Sequence, residues 1–161
     1  MKILGIDPGT GIIGFGFIQT GKRTPTLVDA GVIRTTIGDE TASRLVELYD
    51  SIAQLIAELK PDVAAVEKLF FAQNVTTAMA VSQARGVILL ALQQAGVEIF
   101  EYTPLQIKMA ITGYGKAKKA DVQEMVRIQL GLRDTPKPDD CADAIAAALT
   151  HASSVVYNKA T

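Results

Sequence analysis

The chain has 161 residues, 48% of them hydrophobic and 20% charged, with a net charge of −1, which suits a globular unit with a sizeable core and excludes a disordered or repeat-built chain. Its most apolar run, Gly86 to Leu92, is far shorter than the ~20 residues a membrane span needs, so no membrane partner is expected. One cysteine, Cys141, and an opening without a leader pattern fit a reducing, cytoplasmic setting.

Lys2 to Asp7 is a short apolar run closed by Asp7-Pro8-Gly9-Thr10-Gly11, a strand running into a tight turn. Ile12 to Gln19 alternates glycine with bulky residues, and Thr26 to Thr36 makes a third strand. Turn chemistry from Thr20 to Pro25 predicts an antiparallel meander of the three. From Glu40 the period changes: Leu45, Leu48, Ile52, Leu55, Ile56 and Leu59 mark an amphipathic helix that stops before Pro61. Val63 to Val66 is a buried-type strand ending at Glu67. A helix follows from Val75 to Gln94 with Gly96 as its stop, then a strand from Val97 to Tyr102. Thr103-Pro104-Leu105-Gln106 carries a capping box, with proline in the first turn of the next helix. A loop from Gly113 to Lys119 leads into a helix ending near Leu130, and the last helix begins near Asp140, past Pro136 and Pro138. This order predicts an α/β fold, a five-stranded mixed sheet flanked by helices, with no linker dividing residues 1–161.

Asp7 and Glu67 each close an apolar strand, and ligands of open sheets gather outside the carboxyl ends of strands. A carboxylate there is costly without a partner, and the neighbouring sequence offers only Lys68. Asp140 and Asp143, at i and i+3, share one helix face. The small residues after them, Ala144, Ala146, Ala147 and Ala148, let that helix lie close to the sheet and bring its first turn toward Asp7. Like charges ~5 Å apart repel by about 3 kcal/mol at an effective dielectric of ~20, so a shared cation is expected. Oxygen ligands of this kind suit Mg²⁺ or Mn²⁺ and not zinc, and two such ions can bracket a scissile phosphate. Singly, Asp7 reads equally well as a turn residue, and Asp140 as a helix cap completed by Asp143. Together, in these settings, the four read as a metal site.

The charge is unevenly spread. From Asp39 to Asp62 six acids (Asp39, Glu40, Glu47, Asp50, Glu58, Asp62) face two bases (Arg44, Lys60). From Leu105 to Lys137 seven bases (Lys108, Lys116, Lys118, Lys119, Arg127, Arg133, Lys137) face three acids (Asp121, Glu124, Asp134), which leaves one third of the chain compatible with a phosphate-rich ligand.

Four blocks resemble the RuvC family of Holliday junction resolvases: Ile3-Leu4-Gly5-Ile6-Asp7-Pro8-Gly9-Thr10; Ala65-Val66-Glu67 with Phe70-Phe71-Ala72-Gln73-Asn74; Gln83-Ala84-Arg85-Gly86-Val87; and Asp140-Cys141-Ala142-Asp143-Ala144. The resemblance implies an RNase H-like fold and a homodimer. It further implies symmetric nicking of four-way junction DNA with Mg²⁺ or Mn²⁺, leaving 5′-phosphates, in recombination and repair beside a branch-migration motor of the RuvA and RuvB type. By matching positions it makes Asp7, Glu67, Asp140 and Asp143 the catalytic and metal-binding set and leaves Asp139 outside it. It also assigns base stacking to Phe70 and basic DNA contacts to Lys108 and Lys119, and Lys118 joins these as a phosphate contact.

Lys116 reads as a solvated charge, His151 as structural and Cys141 as a packing residue. The helix from Val75 to Gln94 is apolar beyond one stripe; a dimer surface explains this, and deep burial is the alternative. Three rival functions are weighed. An RNase H-like nuclease for another nucleic acid, such as an RNA precursor, shares the same acids. An ATP-binding domain of the actin and sugar-kinase type shares the opening turn but needs a second domain. A junction-binding protein without activity gains nothing from packed, mutually repelling acids.

Overall fold

The structure is a computed structural model that describes residues 1–21, 24–68 and 75–160; Phe70 and Phe71 lie outside the described residues. Within them the elements are β1 (Lys2–Asp7), β2 (Ile12–Gln19), β3 (Thr26–Arg34), α1 (Thr41–Leu59), β4 (Val63–Glu67), α2 (Val75–Gln94), β5 (Glu98–Tyr102), α3 (Pro104–Thr112), α4 (Lys119–Gln129) and α5 (Asp139–Ala160). The five strands form one mixed sheet in the order β3-β2-β1-β4-β5. β1, β2 and β3 make the expected antiparallel meander, and β4 and β5 run parallel to β1.

Strand alternation divides the sheet's side chains between two helical layers. Leu4, Ile6, Phe17 and Val66 point into a core shared with α1 and α2. Ile3, Val63 and Ala65 point the other way, into a core shared with α3, α4 and α5. Asp7 keeps step with Ile3, and Glu67 with Val63 and Ala65, so both acids emerge on the α5 side. Because β1 and β4 are parallel neighbours, they also emerge at the same end.

Local chemistry sets the element boundaries. On α1, Leu48, Ile52 and Ile56 recur every four residues as its buried stripe. The residue before a proline avoids the helical region, and Lys60, before Pro61, turns left-handed at φ 50°. Its N–H still closes the helix on Ile56 O at 2.9 Å. The Thr103 capping box forms as read: Gln106 N–H donates to Thr103 Oγ1 at 3.2 Å and Thr103 N–H to Gln106 Oε1 at 2.8 Å.

Three boundaries differ from the reading: β5 begins at Glu98 and not Val97, because Val97 N–H is held by Leu92 O at 3.0 Å. β3 stops at Arg34, not Thr36, because Thr36 N–H is drawn to Glu47 Oε2 of α1 at 2.8 Å. α5 starts at Asp139: Cys141 N–H bonds to Pro138 O at 2.9 Å, which places Asp140 inside the first turn and not at a cap. Deep burial of α2 also fails as an explanation of its apolar surface. Ile88 and Leu92 are fully buried, yet Met79 and Leu90 stand 62% and 50% exposed on its outer side.

The helix that matters most for the site, α5, lies directly on the sheet backbone. A Cβ added at Gly5 would strike the carbonyl of Ala144, one at Gly14 the carbonyl of Asp140, and one at Gly16 the side chain of Ile145. On the helix, Ala144, Ala146, Ala147 and Ala148 are fully buried. Glycine below and alanine above bring the two backbones together. Any methyl on the glycine track overpacks this contact, at a typical cost of about 1–3 kcal/mol.

Candidate active site

The glycine track converts sheet register into site geometry. Asp7 pairs with Gly14 across β1 and β2, and Gly14 lies beneath Asp140. The first turn of α5 is thereby set beside the end of β1. Next door, Ile6 pairs with Val66, so Asp7 and Glu67 leave adjacent strands together. α3 and α4 close the space above. The result is a cleft of about 270 Å³ lined by Asp7, Glu67 and Asp143, by Lys108 and Lys119, and by the apolar Pro104, Ile107 and Val122.

Apolar walls and mutual repulsion make the acids hard to ionise. Burial, then the charges of Asp143 and Asp140, raise the Asp7 carboxyl from 3.8 to about 7, against the opposing pull of Lys119. Burial and the charge of Asp7 raise Glu67 from 4.5 to about 8, and Glu67 hydrogen-bonds Asp7. Ionising both carboxyls of the pair is therefore unfavourable near neutral pH. Asp143 is also raised, chiefly by burial, although Lys119 opposes the shift. Lys119 Nζ lies 2.8 Å from Asp143 Oδ2 and 3.8 Å from Asp139 Oδ2. Burial works against its ammonium, but the Asp143 hydrogen bond and the surrounding acid charges outweigh it and hold the pKa above the ordinary lysine value.

The structure gathers some of the expected residues and not others. Asp7, Glu67, Asp143, Lys108 and Lys119 share the cleft. Asp140 is half-buried one helical turn from Asp143, acts on Asp7 through its charge, and does not line the cleft. Among the described residues no three acids, imidazoles or thiols converge as a ready cage for a metal ion. Lys118 is exposed, its backbone N–H donating to Asp121 Oδ2 at 2.9 Å at the start of α4. Phe70 lies outside the described residues. His151 is buried away from the cleft, 2.8 Å from the Tyr102 hydroxyl through Nδ1 and packed at a tilt against Phe100, ring centroids 4.2 Å apart. Cys141 is buried, and burial and the charge of Asp140 push its thiol pKa up.

Three wall residues, Pro104, Ile107 and Val122, escape sequence reasoning as site residues because they read as ordinary core and cap positions. Arg44, whose partners Thr10 and Thr35 lie 34 and 9 residues away, lies outside the cleft and gives no sequence signal for these contacts. The glycines did leave a signal, the alternation along β2.

A family model described as crossover junction endodeoxyribonuclease RuvC matches residues 3–151. The chain belongs to the RuvC family. It is 51% identical to the RuvC of Chloroflexus aurantiacus over 152 residues, 94% of this chain and 93% of that protein. The structure of Thermus thermophilus RuvC superposes with a TM-score of 0.89 at 34% identity, covering 98% of this chain and 97% of that one. T. thermophilus RuvC in complex with Holliday junction substrate gives a TM-score of 0.92 at the same identity, covering 98% and 96%. The fold is therefore the RNase H-like fold of RuvC, as the four sequence blocks implied. The cleft sits where that fold brings the ends of β1 and β4 against α5.

Proposed function

We propose that the chain is a metal-dependent endonuclease that resolves four-way (Holliday) DNA junctions by symmetric nicking, in recombination and repair. Beside RuvC-family membership, one observation supports the reading most: three acids share a cleft with two lysines, in a chain whose net charge is only −1. Acids alone would repel DNA, and lysines alone would bind it without chemistry.

Asp7, Glu67 and Asp143 would hold divalent cations, Mg²⁺ or Mn²⁺ and two per site, with Asp140 completing the set. The donor chemistry fits: all four are hard oxygen ligands, and burial together with mutual repulsion raises the carboxyls of Asp7, Glu67 and Asp143, a penalty that a cation would offset. When bound, such ions activate water, stabilise the leaving oxygen and so yield a 5′-phosphate. The residues of the chain do the rest. Holding a cation would require Asp7 and Glu67 to be ionised, any proton they carry passing to solvent. Lys119 releases Asp143 and turns its ammonium to the DNA backbone. Lys108 on the facing wall neutralises a neighbouring phosphate, with Lys118 outside the cleft extending the basic track. Phe70, two residues past Lys68, is assigned to stacking on an unpaired base at the branch point.

Symmetric cutting calls for two sites. The exposed apolar side of α2, with Met79 and Leu90, is the surface assigned to a homodimer. Residues 1–161 act as a single nuclease domain, supported by two cores that share one sheet. Partnership with a branch-migration motor of the RuvA and RuvB type, in a cytoplasmic setting, is part of this reading, and RuvC-family membership supports it.

The test is incubation with a synthetic four-way junction, a linear duplex and an RNA duplex, with Mg²⁺, Mn²⁺ or EDTA. Paired nicks in the junction alone, lost in EDTA and in Asp7→Asn, are expected. Equal or better cutting of the RNA duplex would overturn the substrate assignment.

A further inference from the structure

Among the described residues, the segment Pro8 to Gly11, which carries the chain from Asp7 into β2, is bridged to α1 by the side chain of Arg44. Arg44, on the first turns of α1, donates from Nη2 to Thr10 O at 2.7 Å. The same guanidinium donates from Nε and Nη2 to Thr35 Oγ1 at 3.1 and 3.0 Å. Thr35 is buried, 7% exposed, and its N–H bonds back to Gly11 O at 3.2 Å. The turn, the end of β3 and the start of α1 are thus tied into one ring of hydrogen bonds.

Packing does not do this job. Beneath the turn lies a cavity of about 70 Å³ bordered by Gly9, Thr10, Ile13, Thr35, Arg44 and Ala84. Among the described residues, side chains leave this space under Gly9 and Thr10 open, and the hydrogen bonds of Arg44 and Thr35 hold the turn over it. The fit is also close from above: a Cβ at Gly11 would stand 3.0 Å from Arg44 Nη2. A guanidinium can bridge a carbonyl and a hydroxyl at once with fixed angles, which an ammonium cannot.

We propose that Arg44 is a positioning residue of the nuclease centre, clamping the turn so that Asp7 stands in the geometry its cation requires. The proposal rests on the nuclease reading above. Asp7 ends its strand, with β2 on one side and the turn immediately after it. A turn free to shift would carry the carboxylate with it. Displacements of about 1 Å at a reacting centre can cost 10²-fold in rate. Partners that orient a metal ligand are typically worth 10–100-fold in metal affinity. Arg44 touches neither DNA phosphate nor cation in this role.

The experiment compares wild type with Arg44→Gln, Thr35→Val and Thr35→Ser in three measurements: junction nicking, junction binding in EDTA, and the rise in melting temperature with added Mg²⁺. Arg44→Gln should lower kcat by about 100-fold and raise the Mg²⁺ needed for half the thermal shift about tenfold. Junction Kd should stay within about twofold of wild type. Thr35→Val, which removes the hydroxyl, should move the same way by less, and Thr35→Ser, which keeps it, should match wild type. Should Arg44→Gln fail to fold, the Thr35 pair decides alone. Unchanged kcat and Mg²⁺ dependence in Arg44→Gln overturns the clamp. So does a loss of junction affinity as large as the loss of rate, which would make Arg44 a phosphate contact. Equal impairment of the two Thr35 variants also overturns it. A wild type that takes up Mg²⁺ but leaves junctions uncut overturns the nuclease reading; the Mg²⁺ titrations still decide whether Arg44 positions the ligand.

Discussion

Lys119 Nζ lies 2.8 Å from Asp143 Oδ2, inside the same cleft as Asp7 and Glu67. The ammonium occupies, by charge and by contact, part of the role assigned to a divalent cation. Lysine and cation then compete for one carboxylate. Lys119→Met should therefore bind Mg²⁺ more tightly without DNA, by roughly three- to tenfold for a pair worth about 1 kcal/mol, yet nick junctions at least about tenfold more slowly. Melting curves against Mg²⁺ and single-turnover cleavage report the two effects separately. Weaker Mg²⁺ binding in the variant would show that Lys119 supports the ligand set and does not compete with it.

The pH dependence of stability has a definite sign. Asp7 titrates at about 7 and Glu67 at about 8 in the folded chain, against 3.8 and 4.5 as reference values. Between about pH 4 and pH 8 the folded state holds more protons than the unfolded one, so these two groups cost stability as pH rises through that window. In EDTA, wild type should lose melting temperature relative to Asp7→Asn/Glu67→Gln over this range, and the double variant should be the more stable at pH 8. Nicking by the double variant should vanish. A gap that narrows as pH rises would contradict the assignment.

Added Mg²⁺ should reverse that trend. A cation that displaces protons from Asp7 and Glu67 binds better as pH rises, so its stabilising effect should be larger at pH 8.5 than at pH 5.5. Calorimetry in two buffers of different ionisation enthalpy would register the released protons. Equal Mg²⁺ effects at both pH values would place the ion away from Asp7 and Glu67.

Much of this was legible in the sequence, for reasons that can be named. Asp7 and Glu67 close apolar strands, and ligands of open sheets gather at the carboxyl edge where such strands end. The capping box at Thr103 was legible because its partners lie three residues apart. Local signals of this kind survive folding. The cleft's walls were not legible, because Ile107 and Val122 carry the pattern of any core residue. Nor was Arg44, whose partners are brought to it by the sheet and α1. Asp140 was read with Asp143 as one helix-face pair, yet only Asp143 reaches the cleft. The first turn of α5 presses Asp140 onto Gly14 and turns Asp143 toward Lys119.

Two glycines separate packing from flexibility. Gly14→Ala has to lift α5 off β2 and should lose about 1–3 kcal/mol. Nicking should fall beyond what the stability loss explains, since Asp140 and Asp143 ride on the lifted turn. Gly86, inside α2, has open space where its Cβ would stand. Gly86→Ala should leave the monomer fold no less stable, with a gain of about 0.5–1 kcal/mol from helix propensity. Urea melts of the two variants give both numbers, and similar losses at the two positions would refute the glycine track.

The dimer assignment is open to a direct measurement. Wild type should sediment at twice the 17.1 kDa chain mass, and Leu90→Asp with Met79→Asp should return it to the monomer. A monomeric wild type would remove α2 as an interface.

The glycine track has one more consequence, for how this protein tolerates change. Where helix and sheet touch through side chains, their spacing drifts whenever a core residue is swapped. Here, at Gly5 and Gly14, the spacing of α5 from β1 and β2 is set by main chain against main chain, and main chain does not mutate. Substitutions in the core that faces α1 and α2 should then show up as gains or losses in melting temperature while the cutting rate per folded molecule stays level. The cleft is insulated from most of the drift in the sequence around it.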